Sequence, residues 1–148
     1  MAIPPLLPTI EYIMEMVPLR FPVLLVDSVL EWVPGERIVA LKTFTADEPF
    51  FGTESMEASA PPEALVIESM VQVAGLTLPK RSGKYVYLLG LDKISISQAV
   101  RFGDCLVTRA NNVFERRNLF RVAAESQVDG VSVISGEITY AYLDAPAG

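Results

Sequence analysis

The sequence predicts an α+β fold in which an antiparallel sheet wraps one buried helix. Three observations carry this expectation. The run from Glu63 to Leu78 is apolar at most positions, so a helix there is hydrophobic nearly all round and belongs in a core; it is too short to span a membrane. Ahead of it, two stretches rich in Val, Ile, Leu and aromatic residues flank a Pro-Gly turn. Behind it come five more such stretches, separated by turn residues.

Taken in order, Pro4, Pro5 and Pro8 keep the first residues irregular. Thr9 is placed to cap a short helix, Ile10 to Met16, with Ile10, Ile13 and Met16 at helical spacing and Pro18 just past its end. Leu24 to Trp32 and Arg37 to Phe44 form a β-hairpin through Val33-Pro34-Gly35-Glu36. A mostly polar break at Ala46 to Pro49 follows. Gly52 to Pro62 is small, polar and acidic, and reads as a loop. Pro61-Pro62 opens the long helix where a missing N–H is harmless. After a basic loop, Lys80 to Lys84, the five candidate strands are Tyr85 to Leu91, Lys93 to Val100, Asp104 to Glu115, Leu119 to Val128 and Val131 to Leu143. They break at Asp92, Arg101-Phe102-Gly103, Arg116-Arg117-Asn118 and Asp129-Gly130, the last being the strongest two-residue hairpin signal in the chain. In the final strand Ile134, Ile138, Tyr140 and Tyr142 share one face, and Ser135, Glu137 and Thr139 the other.

The 148 residues make one domain, residues 1–148, with an apolar fraction of 51% and a charged fraction of 20%. The apolar surplus fits either a large core or a subunit interface. Eighteen acids against twelve bases give a net charge of −6, which opposes sequence-independent nucleic-acid binding. Cys105 is the single cysteine, so no disulfide framework or thiol metal cluster is expected. The chain has no histidine, which removes the commonest general base and the commonest metal ligand; no metal and no cofactor is called for. The N-terminus lacks a basic stretch and is broken by prolines, unlike a signal peptide, and no apolar run reaches membrane-spanning length. A cytoplasmic location is the default expectation.

Inside the apolar helix, Glu68 and Gln72 stand four residues apart and therefore share a face. Desolvating a carboxylate costs several kcal/mol or more, so Glu68 needs a partner or a task. A structural reading has it satisfied by backbone N–H groups or by Gln72. Tyr140 and Tyr142 read as sheet packing. Arg116, Arg117 and Arg121 fit a solvated strand end, or a docking patch for an acidic carrier protein.

Several segments, in order and spacing, carry a resemblance: IEYIMEMVPLRFPVLLVDSVLEWVPGERIVALK, EPFFG, ALVIESMVQVAGL, GLDKISISQAVRFGD and VDGVSVISGEITYAYL. The chain resembles the β-hydroxyacyl-acyl carrier protein dehydratases of fatty acid synthesis, which have the hotdog fold. The resemblance implies a site across a dimer interface, built from a histidine of one protomer and a carboxylate on the central helix of the other. The carboxylate position matches Glu68, and the Gln that follows it matches Gln72. Counted without a gap from Phe50-Phe51, the histidine of a Gly–His–Phe–Pro–Gly loop falls on Glu54, and that loop's proline and second glycine on Met56 and Glu57. A glycine that polarises the thioester carbonyl falls on Glu63, and a second family histidine on Leu19. On this basis Glu68 and Glu54 are the catalytic positions, and Gln72, Phe51, Glu63 and Phe21 the substrate-binding ones.

The resemblance implies a 3-hydroxyacyl or acyl thioester of an acyl carrier protein or coenzyme A as substrate, and fatty acid or polyketide-type synthesis as setting. Three readings stay open. In the first, the chain is impaired in dehydration alone and pairs with a histidine-bearing paralogue, giving it Glu68. In the second, a homodimer or higher homo-oligomer works as an altered dehydratase through Glu54 and Glu68, or as an acyl thioesterase through Glu68. In the third, it only binds acyl chains.

Overall fold

The computed structural model describes residues 7–49 and 60–144. It begins with α1 (Ile10–Met16), capped by Thr9, whose hydroxyl accepts from the Tyr12 N–H. A hairpin of β1 (Ser28–Val33) and β2 (Arg37–Thr43) follows, then the long helix α2 (Glu63–Gly75). Four strands complete the chain: β3 (Lys84–Ile96), β4 (Cys105–Arg116), β5 (Leu119–Val128) and β6 (Val131–Asp144). They form one six-stranded sheet of order β1-β2-β4-β5-β6-β3, antiparallel throughout. The α+β architecture is the expected one: a sheet on one face of a single long helix.

Helix α2 touches β2, β4, β5 and β6. Val66, Met70, Val73 and Ala74 meet a layer that includes Ile38, Leu106, Phe120, Ile138 and Tyr140, all buried. The face predicted for the last strand is the observed one, since Ile134, Ile138, Tyr140 and Tyr142 are all buried. Two tyrosine hydroxyls tie β6 to the helix and its exit: Tyr140 donates to the Val71 carbonyl and Tyr142 to the Pro79 carbonyl. At the other side the hairpin tip is fastened to the helix end, where the Trp32 indole N–H donates to the Leu76 carbonyl at 3.3 Å and Gly35 N–H to Thr77 at 2.7 Å. Gly35 has φ +76°, a conformation that favours glycine.

The structure departs from the expected elements in three places. The first strand begins at Ser28 and not at Leu24, because Val23 and Leu25 bond to side chains of α2 and not to a neighbouring strand. The helix stops at Gly75; Leu76, Thr77 and Leu78 continue as a tight turn with N–H groups bonded three or four residues back. The expected break at Asp92 is a bulge within one long strand. Between Asp92 and Ser95 the β3–β6 register shifts, and Lys93 takes a left-handed φ of 53°, so Tyr85–Leu91 and the first part of Lys93–Val100 both belong to β3.

Candidate active site

Gln72 is the most constrained polar side chain in the interior. Its Oε1 accepts from the Leu25 N–H at 2.7 Å, and its Nε2 donates to the Val23 carbonyl at 2.7 Å and to Glu68 Oε1 at 2.9 Å. Both amide hydrogens are therefore used within the chain. Ser69, on the same helix, donates from Oγ to the Leu25 carbonyl at 2.9 Å. The extended segment Val23–Leu25 lies against α2 as if the helix were its strand partner, and the result is a fixed orientation for one Glu68 oxygen.

Glu68 is half-buried, and among the described residues its second oxygen carries no hydrogen bond. Its charge is felt by Tyr140. Burial pushes the Tyr140 phenol well above its ordinary value, and the negative charge of Glu68 pushes it further the same way. Tyr140 is thus a neutral donor to the helix backbone at neutral pH. Glu63 opens α2 and is exposed, in the first turn, where a carboxylate is favourable to the helix dipole. It borders a cavity of about 120 Å³ walled by Val66, Ile96, Val100 and Ile134. Phe21 is 83% exposed beside the cis Phe21–Pro22 bond and borders a different cavity, shared with Leu24, Val26 and Lys42. Leu19 packs partly buried against the core. Glu54 and Phe51, with Met56 and Glu57, lie outside the described residues.

One residue that sequence reasoning passed over is Lys42. It is buried, with Nζ 2.5 Å from Glu48 and 3.6 Å from Asp27, and lies 5.3 Å from the centre of the Phe44 ring. Asp27 in turn accepts from the Thr43 N–H at 2.7 Å. The signal was available: Lys42 falls in phase with Ile38 and Ala40 on β2, both core residues, so the alternation points it inward. The pair with Glu48 fixes the chain immediately before Pro49. Arg116, Arg117 and Arg121 are exposed at the β4–β5 turn, with Arg121 5.7 Å from the Phe114 ring centre. Among the described residues no group of three or more His, Cys, Asp or Glu is placed to hold a metal ion, and no helix is long and apolar enough to cross a membrane.

Residues 17–137 match the FabA-like domain. A 3-hydroxyacyl-[acyl-carrier-protein] dehydratase FabZ of Streptococcus pneumoniae (strain Hungary19A-6) is 40% identical over 135 residues, which cover 89% of this chain and 96% of that protein. The chain belongs to the FabA-like family. Solved structures agree with the FabA-like assignment at the level of fold. The dehydratase heterocomplex ApeI:P of Xenorhabdus doucetiae aligns over 89% of this chain and 91% of its own, with a TM-score of 0.72 at 16% identity. A hypothetical thioesterase with coenzyme A from Streptococcus pneumoniae TIGR4 covers 81% of this chain and 88% of its own, at a TM-score of 0.62 and 12% identity. The sheet and central helix of this FabA-like chain are those of a hotdog fold.

Proposed function

We propose that this FabA-like chain acts on 3-hydroxyacyl thioesters as the carboxylate half of a two-protein dehydratase, with the imidazole supplied by a histidine-bearing partner. The observation that carries the reading is a contrast: Glu68 is held in position by Gln72, while the whole chain contains no histidine. The Streptococcus pneumoniae relative is named a 3-hydroxyacyl-acyl carrier protein dehydratase, and the Xenorhabdus doucetiae neighbour is described as a dehydratase heterocomplex. The first supports the class of substrate, and the second the idea of mixed subunits.

In such a site the partner imidazole removes the proton from the carbon next to the thioester carbonyl. The electrons of that C–H bond form the C=C bond as the C–O bond to the 3-hydroxyl breaks. Glu68, having taken up a proton as the pair was reset, delivers it to the leaving hydroxyl, which departs as water. Proton transfer from the imidazolium back to Glu68 resets the pair. Each positioned proton transfer contributes about 10²–10⁴-fold. Glu54, at the family histidine position, is a weaker base than imidazole at neutral pH. Gln72 serves as a positioning residue, and Glu63, Phe51 and Phe21 as lining for the acyl thioester.

The subunit contact belongs on the free edge of β3, where Tyr85, Tyr87, Leu88, Leu89 and Leu91 are exposed on a strand with one side unpaired. Arg116, Arg117 and Arg121 offer a cationic turn to an acidic carrier protein. The setting is cytoplasmic fatty acid or polyketide-type synthesis.

The test is a dehydration assay on a 3-hydroxyacyl thioester, with the chain alone and co-expressed with a histidine-bearing paralogue. A heterodimer whose rate drops about 100-fold with Glu68→Ala supports the reading. A fully active mutant heterodimer removes it. Turnover by the chain alone assigns the chemistry to Glu68 with Glu54. Acyl-coenzyme A hydrolysis lost with Glu68→Ala assigns a thioesterase, the reading that the single oriented carboxylate also favours. Saturable acyl-thioester binding with no turnover in either form assigns a binding module.

A further inference from the structure

At the end of the molecule away from Glu63 and Glu68, a cavity of about 340 Å³ opens between α1 and the loop that leads from α2 into β3. Its floor is apolar, made by Met16, Pro18, Val86 and Tyr142, and its rim carries Lys80, Arg81 and Lys84 against one acid, Glu15. None of Glu63, Glu68 or Gln72 lines it. We propose that this cavity is a second binding site, for an anionic amphiphile whose hydrocarbon lies on the Met16–Val86 floor and whose carboxylate or phosphate head meets Lys80 and Lys84.

The size falls in the range of small-molecule sites. The charge is the more telling property. In a chain of net charge −6, the lining residues sum to +2, counting Lys80, Arg81 and Lys84 against Glu15. Arg81 is fixed as part of the wall: it stacks 4.5 Å from the Tyr142 ring centre and 5.1 Å from that of Phe120, and bonds Asn118 at 3.1 Å and Glu115 at 3.3 Å. The two lysines differ from it. Lys80 pairs with Glu15 and Lys84 with Asp144, whose side chain is 84% exposed. Exposed pairs of this kind contribute about 0–1 kcal/mol, so a ligand anion displaces the carboxylates at little cost. Gly83, at φ +69° and with open space where a Cβ would stand, leaves the rim unobstructed between the two lysines. The site stands whether or not Glu68 has any catalytic role.

Isothermal titration of the full chain with decanoate, decyl phosphate and decanol tests it. Decanoate or decyl phosphate should bind saturably, about tenfold or more tighter than decanol, and the tighter of the two names the head group. Lys80→Ala with Lys84→Ala should weaken the anions about fivefold or more and leave decanol unchanged. Met16→Trp should block all three while the far-ultraviolet dichroism stays native. Equal binding of decanol and the anions overturns the proposal, as does unchanged affinity in the lysine double variant. Loss of binding with Val66→Trp, in the small cavity beside the start of α2, together with retention in Met16→Trp, also overturns it.

Discussion

At the scale of single residues, Gln72 bridges a backbone segment and a carboxylate, and it has no donor left for a ligand. Replacing it by Leu strands the Leu25 N–H and the Val23 carbonyl. The expected loss is about 2–4 kcal/mol in the urea unfolding free energy, since unsatisfied buried groups cost about 1–3 kcal/mol each. Lys42→Met should cost about 2 kcal/mol by leaving Glu48 unpaired at low exposure, and adding Glu48→Gln should recover part of it, measured the same way. Tyr140 and Tyr142 give a pH signature. Burial lifts Tyr140 well above its ordinary value and Tyr142 to about 12. In the unfolded chain both lose their protons near pH 10, while the folded protein keeps them. Stability is therefore full below about pH 10 and falls as the pH rises toward 12, because there the unfolded state binds fewer protons than the native one. Denaturation midpoints across that range, followed beside tyrosine ionisation in the ultraviolet, check it. The Glu68–Gln72 spacing was legible in the sequence because i and i+4 share a helix face. Their partners Val23 and Leu25 were not, because backbone groups 47 and 49 residues away leave no mark in local pattern.

At the scale of elements, the same limit set strand boundaries. Leu24 to Trp32 looks like one strand by composition. Its first residues go to the helix because Gln72 and Ser69 offer side-chain partners that a sheet neighbour does not. The Asp92 break failed for a different reason. A polar residue followed by a left-handed Lys93 marks a bulge as well as a turn, and only the pairing of both flanks with β6 decides between them. Asp129-Gly130 was legible because the tight turn needs positive φ at both residues, found at 50° and 78°. Gly130→Ala should lower stability by about 1 kcal/mol in thermal or urea unfolding, with the sheet otherwise intact. Lys42 was legible in principle: it shares the parity of Ile38 and Ala40, and only its charge argued against burial.

At the scale of the molecule, the sheet has two edges, β1 and β3, and they differ. The β3 edge carries exposed Tyr85, Tyr87, Leu89 and Leu91. On the subunit contact proposed for this edge, Leu89→Lys should turn an oligomer into a monomer at micromolar concentration, read by analytical ultracentrifugation, with native circular dichroism. An unchanged sedimentation coefficient would place the subunit contact elsewhere. The α+β class was legible because one mostly apolar helix among seven strand-like runs admits few arrangements, while the hotdog fold was legible only through the family resemblance.

The stitching of Val23–Leu25 to α2 makes those residues and Glu68 a single mechanical unit. The Leu25 N–H, buried in that joint, is then a built-in gauge. The rate at which its hydrogen exchanges with solvent reports how firmly the Glu68 carboxylate is aimed.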